Sequence, residues 1–184
     1  MNAVFNLKNL ISDNYLAKLR AKFEKDTTWG GAVLESRISI LKMLTAVGDF
    51  KTILDYGAGN SKFKKDWFNK YPNDNIEIFE FEPGRKELAV EPPECDVTVC
   101  YDVLEHVERD KIAATMELIA NKTKKIFYFS ICKIKSYRNF DDGTNLHLTI
   151  EDEDFWLKFI NKYFEVYELK ISSAHLWGVG VKKQ

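Results

Sequence analysis

No C-x-x-C pair occurs in this 184-residue chain, and its three cysteines, Cys95, Cys100 and Cys132, make an odd number. The sequence therefore offers neither a disulfide framework nor a zinc ribbon. Cys100 and Cys132 sit in apolar runs and read as small buried residues, which leads us to expect reduced thiols and a cytoplasmic protein. No apolar run approaches the roughly 20 residues that cross a bilayer. Met1 to Leu19 lacks the charged start, apolar stretch and small-residue cleavage site of a secretory signal. A dominant charge is missing too. With 27 Lys and Arg against 28 Asp and Glu, the net charge is −1, which gives no global attraction to nucleic acid or to an anionic membrane. Internal repeats, low-complexity tracts and Pro/Gly/Ser linkers are absent. We expect one domain over residues 1–184, with helices in 1–47 and an α/β core in 51–184.

What remains is an ordinary globular composition, 45% hydrophobic and 30% charged. Such a chain is long enough to bury a core without a metal or disulfide staple, and no metal ligand set is expected. Helical periodicity appears at Ser12–Phe23, Leu34–Val47, Lys62–Lys70, Asp110–Asn121 and Glu151–Tyr163, with a break at Trp29-Gly30-Gly31. Short apolar strands are predicted at Thr52–Tyr56, Ile76–Phe81, Asp96–Tyr101 and Lys125–Ile131. A closing antiparallel pair is predicted at Phe164–Ile171 and His175–Val181. Strands alternating with helices point to a mostly parallel sheet covered on both faces.

The first chemically suggestive stretch is Asp55-Tyr56-Gly57-Ala58-Gly59, which leaves a buried strand for a helix. Its glycines permit a tight turn and a close approach to a ligand. In an open α/β sheet, ligands bind at the carboxyl ends of the strands. Without further signals this would be a plain strand–turn–helix. A dinucleotide fingerprint, G-x-G-x-x-G, is the competitor, but its third glycine is replaced here by Lys62. The second strand ends in Glu82-Pro83, and a carboxylate there can accept hydrogen bonds from both hydroxyls of a ribose. Glu80 is the rival for that role, and a merely solvated glutamate is the plain alternative. The third feature is an apolar strand running into Asp102-Val103-Leu104-Glu105-His106.

These segments, spread from Trp29 to Lys170, resemble the class I S-adenosylmethionine (SAM)-dependent methyltransferases. They look most like compact bacterial and phage methyltransferase-like proteins with D-Y-G-x-G, an acidic-Pro pair, D-V-L-E-H and a later D-G-x-N-x-H, here Asp142 to His147. The resemblance implies a Rossmann-like three-layer α/β sandwich, a mostly parallel sheet with a C-terminal antiparallel strand, and N-terminal helices. It implies SAM as cofactor, held by Asp55, Tyr56, Gly57, Ala58, Gly59, Glu82, Pro83, Asp102, Val103 and Leu104. Asp55 would order the glycine loop by hydrogen bonds. Asp102, His106 and His147 are the candidates at the reacting centre. Of these His147 is the better candidate for contact with the acceptor, and His106 equally reads as a packed or helix-starting residue.

The resemblance departs from the general pattern at Pro83–Glu94, which is too short for a full helix and a third strand. The loop that reaches the adenine is therefore missing or shortened, with Leu88, Ala89 and Val90 as weak substitutes. Neither an Asn/Asp-Pro-Pro-Tyr nor a Pro-Cys motif of the DNA-methylating enzymes is present. Lys133, Lys135 and Arg138, with Tyr137 and Phe140 among them, could track a nucleic acid. Against a net charge of −1 they read better as a solvated loop. The acceptor, a small molecule or a nucleic acid, is not legible. A non-catalytic partner-binding subunit of the same fold and a Rossmann-type NAD oxidoreductase are the alternatives.

Overall fold

The structure is a computed structural model that describes residues 5–26, 29–30 and 35–184, with only the backbone of residues 35 and 36. Gly31 and Leu34, which the sequence reading places in a break and at a helix start, lie outside the described residues. Five helices are described: α1 (Asp13–Lys25), α2 (Glu35–Val47), α3 (Lys62–Lys70), α4 (Ile112–Lys122) and α5 (Glu153–Tyr163). Six strands accompany them: β1 (Thr52–Tyr56), β2 (Glu77–Phe81), β3 (Cys95–Tyr101), β4 (Thr123–Cys132), β5 (Phe164–Ile171) and β6 (His175–Lys182).

The strands form one sheet in the order β2-β1-β3-β4-β6-β5. β2, β1, β3 and β4 run parallel, while β6 is antiparallel to both β4 and β5. Strands of a parallel sheet covered on both faces must be apolar almost throughout, and β1 and β3 are buried over nearly their whole lengths. Neighbours along β1 serve opposite layers. Leu54 packs with Met116, Ile119, Trp156 and Ile160 of α4 and α5, whereas Ile53 packs with Ile38, Leu41, Phe63 and Trp67 of α2 and α3. The result is the three-layer sandwich expected from the sequence.

Local chemistry sets the helix starts. The Ser12 hydroxyl accepts from the Tyr15 N–H at 3.1 Å to cap α1, and Asp152 accepts from the Phe155 N–H at 2.9 Å to cap α5. Acidic first turns and basic last turns in both helices match the helix dipole. Two boundaries differ from expectation. A short 3-10 turn, Arg109–Lys111, precedes α4, and β4 begins at Thr123, where the Thr123 hydroxyl donates to Ile119 O at 2.7 Å and turns the chain out of the helix.

Between β2 and β3, residues 82–94 contain neither helix nor strand, so the sheet is one strand short on that side. The N-terminal segment packs nearby. Phe5 meets Phe81 edge-on with ring centroids 6.1 Å apart, and Leu10 joins the core cluster that contains Tyr56 and Phe81. Beyond it, α1 does not pack in either helical layer. Its Tyr15 and Leu19 cluster with Phe140 and Leu146 of the 133–150 loop, at the carboxyl ends of the strands.

Candidate functional site

A cleft, partly open to solvent, lies beneath α1, and the ends of β1, β2 and β3 form its floor. Tyr56, Gly57, Gly59, Glu82, Pro83, Asp102 and Val103 line it from the sheet side, with Tyr101 and His106. Leu10, Ile11, Tyr15, Leu19 and Phe23 line it from above, with Trp29 and Gly30.

The glycine loop is held by its neighbours rather than by Asp55. Gly57 and Ala58 donate their N–H groups to Phe81 O at 2.8 and 3.1 Å. The Gly59 N–H donates to Glu82 Oε2 at 3.1 Å, while Glu82 Oε1 accepts from the Gly84 N–H at 3.0 Å. Arg85 closes the arrangement by donating to Gly59 O at 3.3 Å. Gly57 has a φ of +81°, which favours glycine, and a Cβ there would come within 2.4 Å of the Val103 side chain. Asp55 lies buried under the loop, and its Oδ2 has no hydrogen-bond partner. The loop amides that Asp55 was expected to order are instead taken by Phe81 O and Glu82. Burial, and then Glu80 and Glu82, push the Asp55 carboxyl well above its usual range.

Glu82 is only 6% exposed yet stands on the cleft wall. Burial raises its carboxyl, and the two backbone donors and Arg85 oppose that rise. Each oxygen keeps lone-pair capacity for another donor. Glu80 is directed elsewhere, within 3.7 Å of Lys64 on α3 and away from the cleft. Leu88, Ala89 and Val90 do not line the cleft, and Val90 is exposed. Ala58 and Leu104 are fully buried, so of these two loops they supply packing while Gly57, Gly59 and Val103 supply surface.

At the end of β3, Asp102 takes a φ of +50°, in the left-handed region that non-glycine residues seldom adopt. Ser130 of β4 stabilises it. The Asp102 N–H donates to Ser130 O at 2.9 Å, and the Ser130 hydroxyl donates to Asp102 Oδ1 at 2.7 Å. Arg37 of α2 donates to the same hydroxyl at 2.9 Å and approaches Asp102 Oδ2 at 3.9 Å. No motif announced Ser130, Arg37 or Arg85. Only Arg85, next to the acidic-Pro turn, had a signal in its position.

His106 forms part of the cleft wall, and His147 does not; the His147 ring packs edge-on behind it, 4.8 Å between centroids. His106 Nδ1 lies 2.7 Å from Leu146 O. A carbonyl can only accept, so Nδ1 carries the hydrogen and Nε2 the lone pair. Burial, and then His147, lower the His106 pKa to about 4. The basic loop is largely engaged at home. Lys133 pairs with Glu153 at 2.6 Å, Arg138 lies 3.7 Å from Asp26, and Phe140 is buried.

No protein-family model matches the sequence, and no curated protein matches it. Solved structures do match in three dimensions. The 1,6-didemethyltoxoflavin N1-methyltransferase of Burkholderia thailandensis, with its namesake compound and S-adenosylhomocysteine bound, superposes with a TM-score of 0.66 at 12% identity, over 100% of this chain and 94% of that one. The magnesium protoporphyrin IX methyltransferase of Synechocystis, with S-adenosylhomocysteine bound, gives 0.57 at 12% identity over 92% and 100%. An N-methyltransferase of Bradyrhizobium japonicum, in complex with S-adenosylhomocysteine, gives 0.55 at 11% identity over 94% and 100%. The fold is that of the class I SAM-dependent methyltransferases. On this methyltransferase fold the cleft occupies the carboxyl edge of the sheet, where open α/β sheets bind ligands. No helix among the described residues is long and apolar enough to cross a membrane.

Proposed function

We propose that the chain is a SAM-dependent methyltransferase acting on a small, flat acceptor. The observation that carries this reading is the charge of the cleft. Its lining residues include the carboxylates Glu82 and Asp102, and among the described residues no Lys or Arg. Such a site suits a ligand carrying a sulfonium, an ammonium and a diol, and it repels a pyrophosphate. The loop amides reinforce the point. Gly57, Ala58 and Gly59 direct their N–H groups to Phe81 O and Glu82, so they do not form a phosphate cradle. The oxidoreductase alternative is thereby disfavoured.

When bound, SAM supplies a methyl group on a positively charged sulfur. The protein's part is chiefly to position the acceptor and keep water out. Glu82 would accept the ribose hydroxyls, Asp102 would face the methionine end, and the glycine loop would pass beneath it. The Tyr15 hydroxyl is buried on the cleft wall without a partner, a donor suited to a bound ligand. Phe23, Trp29 and His106 form the acceptor's wall, and His106 Nε2 can accept a hydrogen bond or a proton from it. The overhang of α1 leaves room for a small molecule rather than a nucleic-acid strand.

Calorimetry with S-adenosylhomocysteine tests the reading, alongside thermal melts. At about 100 times its dissociation constant the ligand adds roughly 2.7 kcal/mol of stability. No heat and no shift at millimolar ligand would defeat it, and a larger shift with NAD would favour the oxidoreductase. Binding without turnover to S-adenosylhomocysteine across a pool of acceptors would favour the non-catalytic subunit.

A further inference from the structure

The turn after β3, the end of β4 and the 133–150 loop converge on side chains that the cleft leaves unused. Glu105, Cys132 and His147 each present a donor atom, and these atoms all lie within 4.8 Å of one another. Glu105 is fully buried. One of its oxygens accepts the Cys132 N–H at 3.0 Å, but Oε2 is buried with no hydrogen-bond partner. A buried carboxylate oxygen without a partner is costly, and it calls for a proton or a cation.

His147 is anchored through one ring nitrogen. Its Nδ1 lies 2.6 Å from Ile134 O, so Nδ1 carries the hydrogen and Nε2 keeps the lone pair. Carbonyl-anchored imidazoles of this kind commonly stand in metal sites. Asn145 fixes the backbone there, since its Oδ1 accepts the His147 N–H at 3.0 Å and its amide donates to Ser136 O at 2.8 Å. The charged groups nearby are Asp102, which adds negative potential, and Lys133, whose ammonium is drawn away to Glu153.

We propose that Glu105, Cys132 and His147 form a binding site for a divalent transition-metal ion of the zinc type. One sulfur, one imidazole nitrogen and one carboxylate oxygen make a donor set suited to zinc in tetrahedral geometry. Donors around a tetrahedral zinc stand about 3.3–3.8 Å apart, so the three must draw in by about 1 Å. Three protein donors leave one position for water, or for an oxygen or sulfur of an acceptor. The site adjoins the cleft through the His106 ring but does not depend on the cleft binding SAM.

The test uses the full chain stripped with a chelator, dialysed against Zn²⁺ and analysed for metal content, with Zn²⁺ affinity measured by calorimetry. One zinc per chain is expected, with affinity falling at least tenfold in His147→Gln and in Cys132→Ser. Substitution with Co²⁺ should give a thiolate-to-metal charge-transfer band that is lost in Cys132→Ser. Absence of stoichiometric zinc at micromolar free metal would overturn the proposal, and so would equal affinity in His147→Gln. That variant alters a half-buried loop side chain and decides the matter if Cys132→Ser does not fold. S-adenosylhomocysteine titrated into the same metal-free samples reports on the cleft separately.

Discussion

Gly57 shows how a single residue couples the ligand loop to its surroundings. Its φ of +81° and the 2.4 Å approach of Val103 act together. We expect Gly57→Ala to destabilise the fold by about 1–3 kcal/mol from the positive φ alone, with crowding added. Val103→Ala in the same background should recover the crowding part and leave the backbone part. Chemical denaturation of the four proteins in this cycle measures both, and simple additivity would remove Val103 from the argument. Glu82 carries a second residue-scale expectation. Glu82→Ala removes the proposed ribose partner and the side-chain acceptor of two backbone N–H groups, so S-adenosylhomocysteine affinity should fall by about 10- to 100-fold. Glu80→Ala should change it far less, because Glu80 is directed to Lys64. The opposite ranking would transfer the ribose role to Glu80. The glycines and Glu82 were singled out by residue type and position and Asp102 by the family resemblance, and all of them line the cleft. The partners that hold them, Ser130, Arg37 and Arg85, were not, because sequence order does not report which side chains meet across parallel strands.

At the scale of elements, α1 is the piece whose place the sequence concealed. Its amphipathic pattern was plain, but periodicity says only that one face is buried, not against what. That face meets the 133–150 loop and the cleft instead of the sheet. A single joint sets its start. Glu108 accepts both the N–H and the hydroxyl of Ser12, each at 2.7 Å. Hydrogen bonds to a charged group contribute about 1.5–3 kcal/mol each. Glu108→Ala should therefore loosen α1 locally, with faster hydrogen exchange over Tyr15–Lys25 and unchanged protection in β3 and β4. Equal loss of protection in the sheet would show that α1 is not a separable unit. The contacts of Lys18 with Asp142 and of Lys25 with Asp141 are more exposed, and their contribution is smaller. The strands and α3 were located in the sequence almost to the residue, because their apolar runs and the Tyr71-Pro72 stop leave little freedom.

Over the whole molecule, the sheet carries buried acid as well as apolar side chains. Asp55 and its β2 neighbour Glu80 each have a buried oxygen without a partner. The folded-state pKa of Asp55 is raised, so above the unfolded value the unfolded chain holds fewer protons than the folded one. Stability then falls as pH rises through that window. Asp55→Asn lacks this slope, so its melting temperature should gain on the parent's between about pH 5 and about pH 8. A constant difference between the two melts across that range would mean that Asp55 does not retain its proton in the fold. The missing strand between β2 and β3 was legible as a shortage of residues. The packing of Phe5 and Leu10 beside Phe81 was not, since they lie far from it in sequence.

The joint position of α1 and Gly30 has a consequence for traffic through the cleft. Gly30 rests on the glycine loop so closely that a Cβ would come within 3.2 Å of Gly59 Cα, and Trp29 and Phe23 stand beside it. The same helix is tied at Lys18 and Lys25 to the loop carrying Asp141 and Asp142. If the cleft holds SAM and an acceptor as proposed, the roof over one and the flank of the other share these contacts. Under the proposed function, exchange of spent cofactor would disturb the acceptor's seat, so methylated product would be released before or together with S-adenosylhomocysteine. Repeated methylation of one retained acceptor would be difficult for a protein built this way.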